Sequence, residues 1–212
     1  MIEEGYIKYR CYWTKKAAVT EKEIKTLNLW RGKLYRSGLI GQYDDGIGFG
    51  NISCRMADSA FDSNTSKNTQ KPEFIISGTQ TGGIKQLTAR HYTKVSDFDW
   101  QENYVTCVGA IKASSESLTH GALYAANPEI NGVIHIHDLA LWQKLLDKVP
   151  TTNPNCAYGT PQMAEEIIEL CQQRECQQQK IIVMSGHREG ILAFGSNLAE
   201  AGEVLLKHGQ AS

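Results

Sequence analysis

The stretch SSESLTHGALYAANPEINGVIHIHD, residues 114–138, reads as a polar turn, a helix over 115–126, a second turn and a strand. Gly132-Val133-Ile134-His135-Ile136-His137 is apolar enough to be a buried strand. Side chains alternate along a strand, so His135 and His137 share one face while Ile134 and Ile136 share the other. Neutral imidazole is the commonest protein metal ligand, and two on one strand face can chelate a single ion. Glu116 stands at the start of the preceding helix, where the helix dipole favours negative charge. Carboxylate, helix, turn and paired histidines together make a metal site with a base beside it.

Working outward, the same interleaving continues. Tyr6 to Trp13 is an aromatic-rich strand candidate. Thr20 and Glu23 form a capping box ahead of Ile24, Leu27, Trp30 and Leu34 at helical spacing, with Gly38 as the stop. Gly46 to Arg55 runs from a glycine turn into a strand. Residues 57–72 are polar and expected to be a mobile surface loop. Glu73 to Gly78 is a further strand, 98–108 supplies one or two more, and 180–185 and 190–195 are short ones. Helices are expected at 138–148, at 161–173 behind a Thr160 cap and Pro161, and from Asn197 onward. This order predicts one layered α/β domain over residues 1–212, with helices covering a sheet.

Composition narrows the function classes. Lys and Arg total 22 against 23 for Asp and Glu, a net charge of −1, so no nucleic-acid or anionic-membrane footprint is expected. No apolar run reaches the length of a membrane span and the opening MIEEGYIKYR lacks a signal region, which makes the cytoplasm the expected location. The six cysteines show no metal or disulfide spacing and read as reduced, mostly buried residues. Cys171 and Cys176 are expected on different faces of one helix.

Several motifs admit two readings. Gly46-x-Gly48-x-Gly50 is followed by strand-like residues, whereas a dinucleotide fingerprint needs a helix there. These glycines serve either a tight turn or a close approach of backbone amides and Asn51 to a small anion. Ser77-Gly78-Thr79 at a strand end and Ser114-Ser115 at a helix start are caps, or places where a phosphate binds. The third ligand beside His135 and His137 is sought at His187, between an apolar strand and a glycine turn, or at His208 in the last helix. His120 reads as a helix residue bonded to a neighbour, and His91 has no partner pattern.

Together these residues resemble the class II aldolase/adducin family, from about Leu27 to Leu206. Gly50-Asn51-Ile52-Ser53-x-Arg55 is similar to the family's first phosphate turn and Ile76-Ser77-Gly78-Thr79 to its second. Ser114-Ser115-Glu116-x-x-x-His120 followed by His135-x-His137 is the most specific part. His187 through Gly195, with Glu200-Ala201, resembles the closing segment. The resemblance implies a three-layer αβα domain with a mixed, mostly antiparallel sheet, commonly a tetramer. It implies one divalent metal per chain, usually zinc (Zn2+), on His135, His137 and His187. Glu116 would be the acid/base, and Asn51, Ser77, Gly78, Ser114 and Ser115 would bind the phosphate of a small sugar phosphate.

The activity so implied is carbon–carbon bond cleavage or formation in a phosphorylated ketose, through a metal-stabilised enediolate. Epimerase or dehydratase chemistry on a similar sugar phosphate, and a non-catalytic adducin-like interaction domain, are the alternatives. Three departures accompany the resemblance. Arg188-Glu189 follow His187 where the family has glycine. The segment from His137 to Tyr158 lacks the loop that carries an interface tyrosine, for which Tyr158 is the candidate substitute. The sequence ends at Ser212 without the longer tail that covers the site in the aldolases.

Overall fold

The computed structural model describes residues 5–56 and 71–210. Its centre is an eight-stranded sheet in the order β1-β7-β6-β5-β4-β8-β10-β9. These strands are β1 (Arg10–Lys15), β4 (Asn51–Arg55), β5 (Phe74–Ser77), β6 (Tyr92–Asp99), β7 (Tyr104–Gly109), β8 (Gly132–His137), β9 (Ile181–Val183) and β10 (Gly190–Gly195). Among these eight strands β1 and β7 pair in parallel and the other neighbours are antiparallel. A small hairpin, β2 (Gly41–Gln42) with β3 (Gly48–Phe49), stands beside the sheet.

Helices cover both faces, which is why the central strands β8 and β10 are buried at every position. On one face α2 (Ser117–Ala126), α4 (Pro161–Gln172) and α5 (Arg174–Gln179) bring Leu118, Leu123, Met163 and Cys176 against Phe74, Val133 and Leu192. On the other, α1 (Lys25–Arg36), α3 (Leu139–Leu145) and α6 (Leu198–Gln210) bring Leu27, Trp30, Leu141 and Leu205 against Ile52, Ile134 and Ile136. This is the three-layer αβα arrangement with a mixed, mostly antiparallel sheet. No helix among the described residues is long and apolar enough to cross a membrane.

Most expected elements form, although the Thr20–Glu23 box closes a turn ahead of α1, whose own N-cap is Ile24 with no side-chain bond. Thr20 and Glu23 bond reciprocally, Gly38 takes φ +73° after α1, and Thr160 Oγ1 accepts from Met163 N ahead of Pro161. Four expectations are corrected. The first strand starts at Arg10, later than read, because Tyr9 is drawn into the core with its hydroxyl donating to Ser114 O at 2.8 Å. Strand β6 begins at Tyr92 and crosses a register shift at Val95/Asp97, which breaks the strict alternation a sequence reading relies on. The 138–148 helix stops at Leu145. Cys171 and Cys176 lie on two helices, α4 and α5, separated by the extended Gln173. Both are buried in one apolar cluster, and burial pushes their thiols up to about 11 and about 12. The expected surface loop falls, for residues 57–70, outside the described residues.

Candidate metal centre

Three histidines meet at one end of the central strands. His135 and His137 project from the same face of β8, and His187 comes from the turn joining β9 to β10. Their ring centroids lie 4.9, 5.1 and 4.7 Å apart, and one ligand atom from each falls within 4.8 Å of the others. All three are buried. Pairing explains the convergence: Gly190, just past the turn, is the register partner of His137, and Leu192 that of His135. A Cβ on Gly190 would sit 3.0 Å from His187 Nδ1, so glycine gives that ring its room.

The donor set suits a cation. Burial, and secondarily the neighbouring imidazoles, hold His135 and His137 well below the usual histidine range, hence neutral and able to ligate. His135 Nε2 is fully buried and makes no hydrogen bond, a cost that a cation at the centre of the triad would remove. Beside His135 Nδ1, at 3.3 Å, stands the amide of Asn51, whose buried Oδ1 makes no hydrogen bond. Turning that amide over lets Oδ1 accept from Nδ1–H and leaves the Nε2 lone pair for the ion.

Glu116 occupies the N-cap position of α2. Its carboxylate is completely buried, with Oε1 3.8 Å from His187 Nδ1. Tyr158 stacks on His187, centroids 4.7 Å apart. Its hydroxyl accepts from Tyr6 N at 3.2 Å, so its ring rather than its hydroxyl addresses the histidine.

The other sequence candidates line up across the sheet. Asn51 is the ladder partner of His135, and the neighbouring β4–β5 ladder runs as far as Ser53 opposite Ile76, just short of Ser77 and Gly78. Gly78 in turn bridges Ala113, next to Ser114 and Ser115. Ser77 Oγ accepts from Ile52 N at 3.2 Å, and Ser114 Oγ accepts from Glu116 N at 3.3 Å. Gly78 N–H is committed to His91 O at 2.8 Å, and a Cβ there would strike Ile111 at 2.4 Å. The room that glycine leaves at position 78 is thus taken by Ile111.

His120 stands apart from the triad. Its Nδ1 is 2.7 Å from Ser53 Oγ, which also contacts Tyr124 Oη at 2.7 Å. His208 lies in α6 and His91 bonds back to Thr88; neither joins the group. The glycine-rich segment is the β2–β3 hairpin, closed by Tyr43 N to Ile47 O at 2.9 Å with Gly46 at φ +86°. It carries two residues that the sequence reading missed. Phe49 stacks on His137 at 5.5 Å, and Tyr43 Oη reaches His137 Nδ1 at 2.7 Å and Glu189 Oε2 at 2.9 Å. The aromatic residues beside the glycines were the available signal; their direction depends on the hairpin closing.

Comparison with known proteins fits this geometry. A family model described as Class II Aldolase and Adducin N-terminal domain matches residues 42–208. Among solved structures, a sugar-phosphate aldolase from Thermotoga maritima superposes with a TM-score of 0.63 at 18% identity, covering 89% of this chain and 90% of that one. An L-fuculose-1-phosphate aldolase from Thermus thermophilus gives 0.60 at 18% identity, with 88% of each chain covered. An aldolase II superfamily protein from Pseudomonas syringae gives 0.62 at 13% identity, covering 92% of this chain and 75% of that one. At these identities the likeness establishes the fold alone. Curated protein sequences gave no match.

Proposed function

The chain belongs to the class II aldolase and adducin N-terminal domain family, and from that premise we propose that it is a divalent-metal-dependent, aldolase-type lyase acting on a small phosphorylated ketose. The observation that carries this reading is the buried triad His135, His137 and His187 with the Glu116 carboxylate 3.8 Å from the third ring. Three imidazoles would hold a zinc-type ion with positions left for substrate oxygens. When bound, the ion supplies a Lewis acid that polarises a carbonyl and stabilises negative charge developing on its oxygen.

The protein's own groups do the rest. Glu116, held buried at the start of α2, takes or returns the proton at the reacting carbon or hydroxyl. Asn51, Ser77, Gly78, Ser114 and Ser115 hold the phosphate, fixing the substrate's reach to Glu116. Full burial excludes bulk water from that carboxylate. The reading extends to a cytoplasmic homo-oligomer, tetrameric as the resemblance implies. The test is Glu116→Gln in metal-loaded protein, assayed against a panel of ketose phosphates. Turnover should fall about 10²–10⁴-fold with metal content unchanged. Full activity in the variant discards Glu116 as the acid/base; absence of both turnover and phosphosugar binding in wild type favours an adducin-like interaction domain.

A further inference from the structure

The residues that replace the family's glycine after His187 have a use that the proposed chemistry leaves unassigned. Glu189 is a non-glycine residue at φ +73°, a left-handed conformation in which a side chain is rarely placed without a reason. Its backbone is pinned by Asp138 N donating to Glu189 O at 3.0 Å. That turn aims the carboxylate back across the end of β8, where Oε2 meets the Tyr43 hydroxyl at 2.9 Å.

The count of available hydrogens sets the direction of each bond. A phenol hydroxyl has one hydrogen, and a carboxylate can only accept, so Tyr43 gives its hydrogen to Glu189. The same oxygen lies 2.7 Å from His137 Nδ1, and that contact is satisfied only if Nδ1 carries the imidazole proton and Tyr43 Oη accepts it. The lone pair of His137 then sits on Nε2. Phe49, stacked on the ring at 5.5 Å, limits its rotation. We infer that Glu189 and Tyr43 form a positioning relay that holds His137 as the Nδ1–H tautomer and thereby sets the affinity of the triad for a divalent cation.

The relay rests on the metal reading above, and acts on the ion only through His137. It also gives the β2–β3 hairpin and the Arg188-Glu189 departure one shared purpose. Each lies far from the other in sequence, and the two meet at the Tyr43 hydroxyl, which reaches His137 Nδ1.

The experiment separates the relay from the site it serves. In metal-free wild type, long-range ¹H–¹⁵N correlation of the histidine rings should show His137 protonated on Nδ1. Tyr43→Phe keeps the ring packing and removes the hydroxyl. It should weaken cobalt(II) binding about 10–100-fold and shift the ligand-field absorption of the loaded protein. Glu189→Gln, which spares the hairpin, should move both readouts in the same direction. Wild-type cobalt affinity in both variants, or an Nε2–H His137 in the metal-free protein, overturns the relay. Failure of wild type to take up any metal sinks the metal reading instead, and the tautomer still decides the hydrogen-bond relay.

Discussion

Strand β8 is buried along its whole length, yet its two faces meet opposite surroundings. Ile134 and Ile136 point into an apolar layer made by α1, α3 and α6. His135 and His137, interleaved with them, point into a cluster of imidazoles and a carboxylate. Burial alone therefore says nothing about what a position does here. The isoleucine face contributes stability by removing apolar area from water. The histidine face keeps polar groups in the interior, where each must find a partner or cost free energy. One face makes the scaffold, and the other uses the stability that scaffold provides.

The largest effect should come from striking the polar face alone. His135→Ala together with His137→Ala should take metal content from about one ion per chain to background, measured by elemental analysis of dialysed protein. The far-ultraviolet circular dichroism should stay that of wild type, because the opposite face retains its packing. Unchanged metal content in this variant would move the cation away from β8 altogether. Loss of the fold would show that the two faces are not separable.

Next in size is the converse substitution. Ile134→Ala removes a fully buried side chain from the apolar layer on that face and should cost about 2–5 kcal/mol. In a chain of this size that lowers the melting temperature by roughly 2–4 °C for each kcal/mol. Metal should still bind stoichiometrically to the folded protein. A variant that melts like wild type but loses metal would reverse the division of labour between the faces.

The faces also differ in how far the sequence reveals them. Alternation in Gly132 to His137 separates isoleucine from histidine directly, and Glu116 and His187 stand at a helix start and a strand turn where a side chain can reach a cleft. The pairings of Asn51 with His135 and of Gly78 with Ala113 were not readable, because register depends on hydrogen bonds between segments distant in the chain. Tyr43 and Glu189 were missed for the same reason: their meeting depends on a hairpin and a left-handed residue, and neither leaves a period in the sequence. The split of α4 from α5 at Gln173, and the register shift in β6, are likewise single-residue backbone events beneath an unbroken pattern.

The effect that is smallest per unit of pH concerns a histidine on the polar side outside the triad. His120 is completely buried, and burial pushes its imidazole down to about 3; in the neutral state its Nδ1 bonds to Ser53 Oγ. The unfolded chain takes up this proton at about 6.5, so between about 6.5 and 3 the unfolded state binds more protons than the folded one. Stability then rises with pH across that window, by at most about 1.4 kcal/mol per pH unit for one proton. Urea unfolding of metal-free protein at several pH values measures the slope. His120→Gln keeps a polar side chain in the pocket but cannot titrate, so its slope should be shallower than that of wild type, whatever its absolute stability. His135 and His137 have depressed values of the same sign and contribute equally to both proteins, so the difference between slopes isolates His120. Parallel slopes would mean that His120 is protonated as readily folded as unfolded. The Ser53–His120–Tyr124 contacts would then have to open in acid, making this corner of the polar face far less rigid than the isoleucine face behind it.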